Sequence, residues 1–180
     1  RLQLSRWVKA GRLIQLRRGL YVLAPSWRKT EPHPFLMANK IQRGSYVSLQ
    51  SAMAYHGVIP EYVPVVTSVG PGRPETLRNP LGSFQFRHLA AGMLFGYTQT
   101  EIASRQFAFV ASAEKALLDL VYLTPGADSP DYLRELRLQN AGAINMLLLG
   151  ELAARSGRPK LIRAAREVKA FFSGEEGEAL

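Results

Sequence analysis

The sequence contains no cysteine among its 180 residues. This absence excludes disulfide bonds and metal or iron–sulfur sites built on thiolates, and it is typical of proteins of the reducing cytoplasm. Long apolar runs are also missing: apolar segments such as residues 146–149 are far shorter than the roughly 20 residues that span a bilayer. Basic residues interrupt the first apolar stretch, which argues against a secretory signal. The sequence therefore predicts a cytoplasmic protein with no membrane partner.

Acidic residues are absent from the first thirty positions, which hold eight Lys and Arg. Residues 31–140 carry nine charges of each sign, and residues 141–180 carry six basic and five acidic residues. Nearly the whole net charge of +9 therefore lies in the first sixth of the chain. A basic surplus of this size indicates nucleic acid, an anionic membrane surface or an acidic partner.

The basic segment also has the pattern of a folded unit. Leu4, Trp7 and Val8 recur at helical spacing, and Gly11 follows as a helix stop. Two strand-like runs, residues 13–16 and 20–24, flank the turn Arg17-Arg18-Gly19, where glycine suits a tight hairpin. A short basic helix followed by a hairpin is the order in which the recognition helix and wing end a winged helix-turn-helix.

In this interpretation the helix enters the major groove and the hairpin arginines hold phosphates or reach the minor groove. The two preceding helices of the motif are expected upstream of Arg1. The residues predicted to bind DNA are Gln3, Ser5, Arg6, Lys9, Arg12, Arg17, Arg18 and Tyr21. The alternative is a basic hairpin on a solvated surface.

Further phosphate contacts are weaker candidates, because a plain surface loop or a solvated helix face explains the same residues. These candidates are Arg73, Arg78, Lys160, Arg163 and Arg166.

Two prolines and several polar residues make 26–34 a junction between two predicted domains, residues 1–30 and residues 35–180. The second domain is predicted to have helices over 35–43 and 48–55, strands over 63–69, 83–89, 94–100 and 105–110, and a loop over 70–80. Helices over 113–123, 131–138, 144–155 and 158–172 follow, before a frayed tail from Gly174. The predicted fold class is α+β: the C-terminal part of a winged helix-turn-helix, then a mixed α/β domain that ends in helices.

Two local patterns within the second domain carry specific expectations. Phe84 and Phe86, and likewise Phe107 and Phe109, alternate with other residues as in half-buried strands. Ser112 is the expected N-cap of the 113–123 helix, and Glu114 then lies in its first turn. Lys115 and Asp119 form an i,i+4 pair that is expected on the outer face of this helix.

Enzymatic motifs are not found. The segment GPGRP at residues 70–74 lacks the lysine and helix of a phosphate-binding loop, no nucleophile elbow occurs, and the three histidines lack metal-ligand spacing. We therefore expect no catalytic residue, no metal and no cofactor. The enzymatic alternative is a metal-dependent nuclease, which needs converging carboxylates and a nearby lysine. Glu101, Glu114, Lys115 and Asp119 are the one cluster, and their helical placement argues against convergence.

Three segments resemble a known family. Residues 7–13 (WVKAGRL) leading into 16–22 (LRRGLYV) resemble the end of the winged helix in AbiEi-type antitoxins. Residues 46–52 (YVSLQSA) with His56-Gly57 are similar to that family's strand-then-helix segment, and residues 113–120 (AEKALLDL) to its EKALLDL helix. The resemblance covers roughly residues 5–123.

The resemblance implies a bacterial transcriptional repressor of its own operon and the antitoxin of a type IV toxin–antitoxin pair. Its partners would be double-stranded DNA of its own promoter, as inverted repeats, and a nucleotidyltransferase-like toxin as functional partner. Family members bind DNA through the winged helix and antagonise the toxin through the following α/β domain. The alternatives are a protein-interaction antitoxin module and a stand-alone regulator without a toxin.

Overall fold

The computed structural model describes residues 2–60 and 63–178, and over these residues the chain is α+β, as predicted. No helix of this described part is long and apolar enough to cross a membrane. The helices are α1 (Leu2–Lys9), α2 (Pro34–Ile41), α3 (Leu49–Tyr55), α4 (Ala113–Leu123), α5 (Pro130–Glu135), α6 (Met146–Ser156) and α7 (Pro159–Glu178). The strands are β1 (Leu13–Arg17), β2 (Leu20–Leu23), β3 (Tyr46–Val47), β4 (Val65–Gly70), β5 (Glu75–Asn79), β6 (Gly82–His88), β7 (Tyr97–Ala103) and β8 (Gln106–Ala111).

The larger sheet is mixed, with the strand order β5-β6-β4-β3-β8-β7. The two-residue strand β3 lies at its centre, antiparallel to β4 and parallel to β8. Val47 faces Ser68 on one side and Val110 on the other. The outer strands β5 and β7 are antiparallel to their neighbours, whereas β4 and β6 are parallel. A very short central strand thus connects the two halves of the sheet.

Helix α4 is the centre of the helical part of the core. It contacts α3, α6, α7 and β8, and its residues 113–121 are all buried. Ser112 caps it, because its Oγ accepts a hydrogen bond from the backbone N–H of Lys115 at 3.2 Å, which confirms the predicted N-cap. A helix that is enclosed on all sides leaves no outer face for charged residues.

The expectation that Lys115 and Asp119 form a surface pair is therefore wrong. Both residues have no solvent exposure, and the Lys115 Nζ donates to Asp119 Oδ1 inside the core. The other carboxylate oxygen, Oδ2, accepts from the Tyr46 hydroxyl at 2.9 Å and the Ser48 hydroxyl at 2.8 Å. The i,i+4 spacing places the two side chains together on α4, but the sequence does not show that Tyr46, Ser48 and Phe95 cover this side of the helix.

Burial controls the ionisation of this cluster. It raises the pKa of Asp119, against the pull of Lys115 and the two hydroxyls, and it lowers the pKa of Lys115. Burial and the adjacent Asp119 also raise the pKa of Tyr46, so its hydroxyl remains a donor. The Lys115 ammonium lies 4.9 Å from the ring centre of Phe95, an additional cation–π contact. The carboxylate of Asp119 joins the ends of β3 to α4.

The four phenylalanines of the strands do not share one environment. Phe84 and Phe86 on β6 are buried, as predicted, whereas Phe107 and Phe109 on β8 are 46% and 44% exposed. The inward side of β8 carries Ala108 and Val110 instead. The period of two was correct, but it cannot say which of two apolar sides faces the core.

Two segments that the sequence predicts to be irregular contain regular secondary structure. The 70–80 loop contains β5, which pairs with β6 from Glu75 opposite Phe86 to Asn79 opposite Gly82. An edge strand tolerates the neighbouring prolines because one side of it needs no ladder bonds. The predicted frayed tail also differs, because α7 continues through Glu178. Residues 179–180, like residue 1 and residues 61–62, lie outside the described residues.

The N-terminal hairpin is attached to the larger unit by its inner side. Leu16 is 3% exposed and belongs to the main core. The junction is also held, because the backbone N–H of His33 donates to the Gln106 side chain, which in turn donates to the Glu31 carbonyl. The predicted boundary near residues 26–34 is thus hydrogen-bonded to β8 of the large sheet.

We expect Asp119→Ala to lower the free energy of unfolding by about 3–5 kcal/mol, because Lys115 and two hydroxyls lose their common partner in the core. Urea denaturation measures the change. The matched control is Asp128→Ala, which breaks a surface ion pair with Arg163 and should cost about 0–1 kcal/mol. Equal effects of the two substitutions would contradict the assigned role of Asp119.

Candidate nucleic-acid interface

Helix α1 is short, basic and open to solvent. None of its side chains is buried. It ends in a Schellman arrangement, in which Arg12 N–H donates to the Trp7 carbonyl at 2.9 Å and Gly11 N–H donates to the Val8 carbonyl at 3.0 Å. Gly11 has φ +68°, which explains the glycine at this position. The chain then turns directly into β1, so the hairpin packs against the helix.

The hairpin pairs β1 with β2, from Leu13 opposite Leu23 to Arg17 opposite Leu20. Gly19 at the tip has φ +83°, as expected for its turn position. Gln15 and Tyr21 are cross-strand partners, so both side chains project from the same side of the hairpin. The bulge between Gln15 and Arg17 lets Leu16 enter the core while the tip remains outside.

Helix α1 and the hairpin enclose a groove of about 660 Å³, which we call the basic groove. Four of the eight predicted DNA-binding residues line it: Ser5 and Lys9 from α1, and Arg18 and Tyr21 from the hairpin. The remaining lining residues are Leu4, Val8, Gln15 and Gly19. Its wall thus combines two cations, a hydroxyl, an amide and a phenol, and it contains no acid.

The charge of the basic groove is not neutralised within the described residues, where neither Lys9 nor Arg18 has a carboxylate partner. Both side chains are exposed. The first acid of the chain, Glu31, pairs with Arg28 instead. An open wall with two cations and neutral hydrogen-bonding groups attracts phosphate and can also hydrogen-bond to base edges.

Two predicted arginines have intramolecular partners instead. Arg17 donates to the carbonyl of Ile41, the last residue of α2, at 2.8 Å, and its guanidinium lies 3.4 Å from the Glu75 carboxylate. The positive charge of Arg17 at this position also interacts favourably with the negative end of the α2 dipole. Arg12 stacks over the Trp27 ring at 5.2 Å. Arg17 therefore anchors the hairpin, and the exposed arginine at the tip is Arg18.

The other two predicted residues of α1 lie away from the basic groove. Gln3 and Arg6 are exposed and do not line it. By helical spacing they project about 100–160° from Ser5 around the axis. The predicted residues of α1 thus form two sets, one in the groove and one on the outer side of the helix.

The weaker candidates are dispersed over the larger unit. Lys160 donates to the Thr124 carbonyl at 2.5 Å, Arg163 pairs with Asp128, and Arg78 donates to Ser83 at 3.2 Å. Arg73 is exposed on the segment before β5, and Arg166 lines a groove between α6 and α7. None of them extends the basic groove.

Two histidines and one carboxylate outside the basic groove have hydrogen-bond partners within the fold. His33 Nδ1 accepts a hydrogen bond from Phe35 N–H, and burial lowers the pKa of His33. His56 Nε2 bonds the Ala111 carbonyl, while Glu114 accepts from the backbone N–H of Asn145. Over residues 2–60 and 63–178, no three His, Asp or Glu residues are grouped so that they could hold a metal ion.

Sequence reasoning missed the contribution of Gln15 to the basic groove. The available signal was the period of two, which places Gln15 on the side of β1 opposite to the buried Leu16.

Comparison of the sequence with protein-family models and with curated proteins finds no match.

We expect Arg17→Ala to lower the free energy of unfolding by about 1 kcal/mol, because a hydrogen bond to a helix C-terminus and a half-exposed ion pair are lost. Arg18→Ala, the neighbouring control with the same charge change, should alter it by less than about 0.5 kcal/mol. Denaturant midpoints measure both values. Equal destabilisation by the two variants would show that Arg17 is not the anchor of the hairpin.

Proposed function

We propose that this protein is a sequence-specific DNA-binding repressor of its own promoter, with α1 as the recognition helix and the hairpin as the wing of a winged helix-turn-helix. The observation that supports this most strongly is the convergence of Ser5, Lys9, Arg18 and Tyr21 on one acid-free groove. The thirty-residue segment that contains these residues carries nearly all of the net charge.

The proposal divides the contacts by their chemistry. Lys9 and Arg18 neutralise phosphates, while Gln3, Ser5 and Arg6 supply the polar groups that read base edges. An α-helix with its side chains is about 10–12 Å across, which the major groove, about 12 Å wide, can admit. Arg17 contributes indirectly, because it holds the hairpin against α2.

One recognition helix contacts only a few base pairs of the major groove, so one copy reads only a short sequence. Winged helices gain specificity when two copies occupy the halves of an inverted repeat. We therefore propose inverted repeats in the promoter as the target. No catalytic step, metal or cofactor belongs to this function.

Lys9→Ala and Arg18→Ala should each weaken binding to the upstream DNA of the protein's own gene, and should each reduce the slope of log affinity against log salt by about 0.9. Gel shifts at several salt concentrations measure both quantities. Arg134→Ala removes one exposed charge from α5 and serves as the control. Unchanged affinity and slope in both groove variants would refute this assignment.

Ser5→Ala and Arg6→Ala should relax the sequence preference, with a loss of about 1–3 kcal/mol of discrimination for each specific base contact. Binding to the promoter fragment is compared with binding to a scrambled fragment of equal length. If the two substitutions weaken binding to both fragments equally, these residues hold the backbone and do not read bases.

A second candidate function is the antitoxin role of a type IV pair. The observation that favours it is that two of the resembling segments, residues 46–52 and 113–120, meet at the buried Asp119 carboxylate. These two segments therefore form one unit of the core. We propose that this unit supports the surface that antagonises a nucleotidyltransferase-like toxin.

Co-expression of the full chain with the product of the adjacent gene should suppress the toxicity of that product. The variant with both Lys9→Ala and Arg18→Ala should still protect if antagonism resides in residues 35–180. Toxicity that persists with the unaltered chain would remove the antitoxin role and leave a stand-alone regulator. Loss of protection in the double variant alone would assign protection to DNA binding.

A further inference from the structure

Two phenylalanines of β8 are exposed side by side at the end of the large sheet. Phe107 and Phe109 are 46% and 44% exposed, and their positions at i and i+2 place them on the same side of the strand, about 6.7 Å apart along it. With Tyr97 of the neighbouring strand β7 they form what we call the aromatic platform. Exposed aromatic side chains grouped in this way indicate a binding surface.

The rings of the aromatic platform are held in place. Tyr97 stacks on the buried Tyr46 with 4.2 Å between ring centres, and its edge contacts Phe109 at 5.9 Å and 88°. The backbone N–H of Phe109 donates to the Asn39 side chain at 2.6 Å. Because the Tyr46 hydroxyl is bonded to Asp119, the stack is fixed to the core. A ligand would therefore meet surfaces that are already ordered.

Cations border the aromatic platform. Lys40 and Arg43, at the end of α2 and just beyond it, line the same groove of about 410 Å³ as Phe107, Phe109 and Tyr97. Both cations are exposed, and within the described part of the chain neither pairs with a carboxylate. No acid lines this groove.

One acid lies next to the platform and opposes the binding of anions. Glu101 is the cross-strand partner of Phe107, and its carboxylate accepts a hydrogen bond from the backbone N–H of Arg105 at 2.9 Å. The border of the platform is therefore positive on the side of α2, whereas the far end of β7 has one carboxylate, Glu101, with the exposed Arg105 in the adjoining turn. A polyanion is expected to lie with its charged backbone toward Lys40 and Arg43.

From this arrangement we propose that the aromatic platform binds single-stranded nucleic acid. Bases stack on Phe107 and Phe109, and the phosphates face Lys40 and Arg43. Aromatic rings on a sheet combined with a basic border are the elements by which proteins hold unpaired bases without strong sequence preference. A duplex cannot use the platform, because its bases are already stacked on one another.

An acidic peptide is the competing occupant. Its carboxylates would pair with the same cations. Its apolar side chains would bury apolar surface on the platform and would not need the ring faces for stacking. Leucine keeps most of the apolar area of phenylalanine but has no π-face. Phe→Leu substitutions therefore discriminate between the two occupants, and they preserve packing better than Phe→Ala does.

The test measures binding of the full chain to fluorescently labelled twelve-nucleotide oligo(dT) and oligo(rU) by anisotropy. Phe107→Leu and Phe109→Leu should each weaken binding about tenfold, or about 1.4 kcal/mol, because leucine has no ring face on which a base can stack. Arg43→Gln should reduce the salt slope by about 0.7, whereas Lys169→Gln on the exposed side of α7 should leave it unchanged. Glu101→Gln should strengthen binding. Comparison of the two oligonucleotides shows whether DNA or RNA is preferred.

The outcome is independent of the proposed duplex-binding function. Arg18→Ala should impair promoter binding and leave the affinity for both oligonucleotides unchanged. The proposal is overturned if neither oligonucleotide binds, or if the two Phe→Leu variants bind as tightly as the unaltered chain. It is also overturned if poly-glutamate binds beside the aromatic platform, and if substitution of Lys40 and Arg43 abolishes this binding while the Phe→Leu variants leave it unchanged.

Discussion

The carboxylate of Asp119 is the contact on which the rest of the fold depends. It accepts hydrogen bonds from the Lys115 ammonium of its own helix and from the hydroxyls of Tyr46, the first residue of β3, and Ser48, which directly follows β3. Strand β3 has only two residues, and yet it connects the two halves of the sheet. So short a strand offers few ladder bonds, and the buried charged cluster supplies the additional attachment to α4. The same tyrosine carries the aromatic stack that orders the platform on β7 and β8.

The two candidate binding surfaces differ in how they are built. The basic groove lies between a helix with no buried side chain and a hairpin that is anchored by Leu16 and Arg17. The aromatic platform lies on the sheet itself and inherits its order from the core. The basic groove would bind mainly through its positive charge, and it lies in the segment of the chain that contains no acidic residue. The aromatic platform has ring faces, with charge at its border, in a region of near-zero net charge.

Local patterns predicted local structure well. The glycine stop after α1, the Gly19 turn, the Ser112 cap and most helix positions follow from the bonds of a few neighbouring residues. Prediction failed where a distant element decides the outcome. The i,i+4 pair of Lys115 and Asp119 is compatible with either a surface or a core, and it is buried because Tyr46, Ser48 and Phe95 lie against it. Strand β5 likewise forms because β6 is available beside a segment whose composition is typical of a loop.

The sequence by itself determined the class of the fold, the concentration of basic charge in thirty residues, and the order of a short helix followed by a hairpin. These properties depend on composition and on neighbours along the chain. Only the tertiary structure decided which predicted residues share a groove, that Arg17 turns toward α2 while Arg18 stays exposed, and that Phe107 and Phe109 face outward. Those outcomes depend on contacts between residues far apart in sequence, such as Arg17 with Ile41 and Tyr46 with Asp119, which no local period encodes.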